Sequence, residues 1–135
     1  VETENDKRPT IYIFLNKSLQ MSAGKAASQA VHAAASIILL TPVETLNEWS
    51  NSPLQTVIVL EARDEAHIRN ISQYLQDRKL MCRAIIDEGA TEVDPHSITA
   101  LGVQVVDRND SYIKDTFSSF NKYKDTIRVS MEVER

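Results

Sequence analysis

The chain has 135 residues, 42% of them hydrophobic, and a formal net charge of −4 at pH 7. That length supports one domain with its own core, and no apolar run approaches the ~20 residues that cross a bilayer, so no membrane partner is expected. The acid excess has the wrong sign for binding nucleic acid through the overall field, although a local basic patch still acts within a Debye length of roughly 8–10 Å. A single cysteine, Cys82, excludes an internal disulfide and suits a reducing compartment. The opening VETENDKRPT is charged, unlike a secretory leader, and together these features predict a cytoplasmic protein.

In chain order, residues 1–9 read as a flexible arm. Thr10 to Leu15 (TIYIFL) is apolar at consecutive positions, which predicts a strand buried on both faces. After a connecting loop, Asn16 to Met21, a helix is expected from Ser22 to Leu40, ending before Thr41-Pro42 because the residue preceding proline disfavours helical geometry. Thr41 as cap and Pro42 in the first turn predict a short second helix through Trp49. Thr56 to Leu60 (TVIVL) reads as a second fully buried strand, and Asp64 as the cap of a helix to Lys79. A third strand is expected over Leu80–Ile86. A polar loop follows over Asp87–Ser97, then a fourth strand over Ile98–Val106 that Gly102 interrupts. A last helix starts at Asn109 or Asp110 and runs to Asn121. The order predicts an α/β domain over residues 10–121, with a mixed, mostly parallel four-stranded sheet between two helical layers. Residues 122–135 form an extension. Within it, TIRVSMEVER (Thr126–Arg135) alternates as an extra edge strand would.

The first helix carries the most specific pattern. Its sequence from Met21, MSAGKAASQAVHAAA, is mostly alanine, so its backbone can press close to a sheet. Lys25, Gln29 and His32 recur at i, i+4 and i+7 and so share one polar stripe. In open α/β sheets, sites form at the carboxyl ends of strands. If strands one and three run the same way, that rule brings Lys25 together with Asp87, Thr91 and Thr99 of the long polar loop and the strand after it. The histidines are far apart in sequence, so no metal site is expected, and no phosphate loop or cofactor motif is present.

These two segments resemble the type II peptidyl-tRNA hydrolases. That family has a leucine, a methionine, Gly-Lys, Ala-Ala-Gln and His-Ala after its first strand; here stand Leu19, Met21, Gly24-Lys25, Ala26-Ala27, Gln29 and His32-Ala33-Ala34. Its run Asp-Ala-Gly-x-Thr-x-Ile-x-Pro-Gly-Thr-x-Thr-x-Leu-Gly is matched from Asp87 to Gly102 through Gly89, Thr91, Val93, Pro95, Thr99 and Leu101. The resemblance implies cleavage of the ester joining a peptide to the 3′ ribose of tRNA, with peptidyl-tRNA as partner and commonly a homodimer. It places the catalytic positions on Lys25, Asp87, Thr91 and Thr99. Gln29 and His32 match as well, and with Lys17 they are expected to bind substrate.

Ester hydrolysis needs an oriented water and a stabilised oxyanion. Asp87 suits the first task; Lys25 suits the second and can keep Asp87 ionised; the threonine hydroxyls suit placing the water or the carbonyl. The chain departs from the family where an arginine and an aspartate usually follow strand one: here they are Asn16 and Ser18, and a further lysine is Ala23. Each lost phosphate-facing cation implies weaker, less salt-dependent tRNA binding, unless Lys17, Lys25, Arg78, Lys79, Arg83, Lys122 and Lys124 form a substitute patch. The alternative reading is a catalytically silent module of the same fold that recognises tRNA or a protein.

Overall fold

The computed structural model describes residues 6–88 and 93–124. The predicted edge strand over Thr126–Arg135 lies outside them. Strand β1 (Pro9–Asn16) is the axis of the molecule and is buried from Thr10 onward. It pairs in parallel with β2 (Thr56–Ala62), from Thr10 opposite Thr56 to Asn16 opposite Ala62. On its other side it pairs antiparallel with β4 (Ser97–Val103), which pairs antiparallel with β3 (Cys82–Asp87). The order is β2-β1-β4-β3, and of these four β1, β2 and β3 point one way and β4 the other. A short β5 (Val106–Asp107) pairs with the start of β1.

Burial separates the two faces of β1 by residue parity. Ile11, Ile13 and Leu15 pack with Ala26 and Ala33 of α1 (Ala23–Leu40). Tyr12 and Phe14 pack with Ile68, Ile71 and Leu75 of α3 (Glu65–Asp77) and with Ile113 and Phe117 of α4 (Ser111–Phe117). The sheet is therefore sandwiched between helical layers, with α2 (Val43–Ser50) on the α1 side through Trp49. The Trp49 indole N–H donates to the carbonyl of Thr56 at 2.9 Å, which ties α2 to the start of β2.

Several boundaries differ from the sequence reading for identifiable reasons. Thr41 closes α1 instead of opening α2: its hydroxyl donates to the carbonyl of Ile37 at 2.6 Å, one turn back. Strand β2 is not buried on both faces, because it stands at the sheet edge, and Val57 is 42% exposed. Its outer edge is met by residues beyond α4, where the Tyr123 N–H donates to the carbonyl of Val59 and the Glu61 N–H to that of Asn121. Gly102 does not interrupt β4; it lies in register between Ile13 and Arg83. Its role is contact with α1, since a Cβ there would sit 2.8 Å from the Ala33 carbonyl oxygen and 2.9 Å from Ile37. The alanine-rich helix and the glycine beneath it together let the two backbones approach. The break in the strand comes after Val103.

Candidate active site

Because β1 and β3 point the same way, their carboxyl ends lie at one pole, together with the amino ends of β4 and α1. Ser22 caps α1 by accepting from the Lys25 N–H at 3.2 Å, which fixes the first turn. From that turn the Lys25 ammonium reaches across to Asp87, the last residue of β3, with Nζ 2.7 Å from Oδ1. The side chains are only 10% and 13% exposed, so little water screens the pair. Asp87 is also held through its backbone: its carbonyl accepts from the His96 N–H at 2.6 Å.

A second pair lies beneath the first. The Thr99 hydroxyl donates to Gln29 Oε1, and both residues are buried. Thr99 owes this direction to a β-bulge. Ile85 faces Ala100 while Ile86 faces Ile98, so Thr99 is the extra residue between the two rungs. A bulge re-aims side chains: Ile98, Leu101 and Val103 join the α3/α4 core while Thr99 and Ala100 both turn toward α1. Thr99 is 0% exposed, with its hydroxyl turned to Gln29.

The expected polar stripe on α1 divides. Lys25 meets Asp87, and Gln29 lies within the buried arc of Ala26, Ala33 and Ile37. His32 falls outside that arc and is exposed, and among the described residues no hydrogen bond joins it to either pair. Lys17, in the 3-10 turn after β1, is exposed and forms an ion pair with Glu61 at 3.4 Å. Thr91 lies outside the described residues. Arg78 is withdrawn from any basic patch: it donates to the Thr116 hydroxyl and to Asp115 and stacks over Tyr74 and Tyr112, which fastens α3 to α4.

Sequence reasoning missed the structural part played by Asn16 and Ser18. Asn16 is buried at the end of β1, where its Nδ2 donates to the Ile98 carbonyl and its Oδ1 accepts from the Ser18 N–H and hydroxyl. The signal was an asparagine two residues ahead of a serine at a strand end, the pattern of a side-chain-capped turn. His96 is held at φ 65°, left-handed backbone that glycine adopts freely, and it stands where the resembled pattern has glycine. Cys82 is no nucleophile of this site: it is at the opposite end of β3 from Asp87, and burial pushes its thiol up, with the Ser72 hydrogen bond working the other way.

Among the described residues no three His, Cys, Asp or Glu side chains gather as metal ligands, and no helix is long and apolar enough to cross a membrane. The arrangement is an ammonium-carboxylate pair at the mouth of a sheet, on a buried hydroxyl-amide support. Comparison with known proteins gives a consistent result. The family model described as peptidyl-tRNA hydrolase PTH2 matches residues 10–120. A curated peptidyl-tRNA hydrolase of Pyrobaculum aerophilum is 34% identical over 96 residues, covering 67% of this chain and 79% of its own. One of Methanococcus maripaludis is 32% identical over 94 residues, covering 67% and 80%. One of Methanopyrus kandleri is 30% identical over 96 residues, covering 67% and 79%.

Proposed function

Since the chain belongs to the peptidyl-tRNA hydrolase PTH2 family, we propose that it cleaves the ester between a peptide and the 3′ ribose of tRNA, using Lys25 and Asp87. The observation that carries the reading is their 2.7 Å ion pair at the carboxyl pole of the sheet. A carboxylate there orients the attacking water and accepts its proton. The Lys25 ammonium fixes that carboxylate and faces the negative charge that develops on the carbonyl oxygen, and such preset charge stabilises a transition state more in a screened site than in water. The Thr99–Gln29 pair holds the floor of the site. Thr91 belongs to the same proposal as a hydroxyl of the loop after β3, and His32 and Lys17 as contacts to the tRNA. A homodimer is part of the reading and is read by light scattering.

The test is incubation of the protein with peptidyl-tRNA and detection of free tRNA. Release above the spontaneous rate supports the reading. Salt-dependent tRNA binding without release would mark the chain instead as a binding module of the same fold, because the salt slope counts phosphate contacts.

A further inference from the structure

Strand β1 pairs with β4 at Ile13–Gly102, Phe14–Leu101 and Leu15–Ala100, and the ladder stops there. The next rung is lost because the bulge inserts Thr99. At that place the Asn16 side chain stands in for the backbone: Nδ2 donates to the carbonyl of Ile98, the residue just before the bulge, at 2.9 Å. The other end of the same amide accepts from the Ser18 N–H at 3.0 Å and from its hydroxyl at 2.7 Å. Asn16 is only 2% exposed, so its amide has protein partners and little water to replace them. From the far side Ile98 is held by Ile86, and Ser97 by Asp87. The beginning of β4, from which Thr99 is aimed at Gln29 and against which Asp87 is seated, is thus gripped by a strand on one side and by one side chain on the other.

We infer that Asn16 is a positioning residue: its amide bridge to Ile98 holds the bulge that directs Thr99 to Gln29 and keeps Asp87 in line with Lys25. In this chain, with Ser18 as its neighbour, the place is filled by a side chain that both donates and accepts. A carboxylate lacks the donor, and a hydrophobic side chain lacks both functions. The inference rests on the hydrolase reading for its kinetic consequence and on the hydrogen bonds alone for its structural one.

The test compares Asn16→Asp, which keeps shape and the acceptor toward Ser18 but loses the donor, with Ser18→Ala, which touches only the far end of the bridge. On folded protein, Asn16→Asp lowers kcat about ten- to a hundredfold with KM within about twofold, as sub-ångström misplacement of a site does, and Ser18→Ala stays near the parent. Combined with Thr99→Val, the loss does not exceed that of the worse single variant, because both act through the bulge. Parental kcat in Asn16→Asp, or multiplicative losses in the double variant, overturns the inference. If the parent itself releases no tRNA, the hydrolase reading fails and the bridge is still read by amide hydrogen exchange. Exchange at Thr99 and Ala100 is faster in Asn16→Asp than in the parent if the bridge holds β4, and unchanged if it does not. Should Asn16→Asp not fold, Asn16→Ser, neutral and too short to reach Ile98, takes its place under the same expectations.

Discussion

The two faces of the sheet are both buried but are built on opposite principles. On the α3/α4 side the space is filled by rings: Tyr12 stacks on Phe117 with centroids 4.0 Å apart, and Phe14 meets Phe120 edge-on at 4.9 Å. On the α1 side the helix offers Ala26 and Ala33, and β4 offers Ala100 and Gly102. The first face gains stability from large apolar area. The second gives up area for proximity, and on that face Lys25 reaches Asp87 and Thr99 reaches Gln29. One face anchors the sheet, and the other carries the proposed site.

Separate mutations on each face break this contrast. Phe117→Ala removes a ring that contacts Tyr12 and Phe14. It is expected to cost about 3–5 kcal/mol in urea unfolding, while turnover per folded molecule stays near the parent value. Gly102→Ala strikes the other face, where the nearest obstacle is the Ala33 backbone and cannot rotate away. It is expected to cost about 2–3 kcal/mol and, by pushing α1 off the sheet, to lower turnover as well. Thr99→Val keeps the volume but leaves Gln29 Oε1 buried without its donor, so urea unfolding should show a loss of about 1–2 kcal/mol. The smallest effect is of opposite sign. His96→Gly relieves a left-handed residue, and the gain, offset by the added freedom of glycine when unfolded, should be about 0.5 kcal/mol.

These residues also show how far the fold could be read from sequence. The alanine run, the apolar stretches around Phe14 and Val59 and the cap at Asp64 are local signals, and among the described residues local pattern located the four α-helices and four of the strands, though not the 3-10 turn at Lys17–Leu19. The reversal of β4 between two like-directed strands is not local, and neither is the edge position of β2, so β2 was read as more buried than it is. At the site, the Lys25–Asp87 meeting followed from the rule that sites gather at strand ends. The burial of Thr99 did not, because one extra residue in β4 flips a side chain from one face to the other and leaves no mark on an apolar pattern. The Asn16 bridge to Ile98 was invisible for a related reason: the two residues are 82 apart in the chain.

The central claim is that the Lys25–Asp87 pair performs the chemistry and not merely the folding of this pole. The direct measurement is single-turnover release of tRNA from peptidyl-tRNA by the parent, Lys25→Ala and Asp87→Asn, each checked for folding by circular dichroism. The account predicts that each folded variant cleaves roughly a hundredfold or more slowly than the parent. Parental rates in both variants would contradict it.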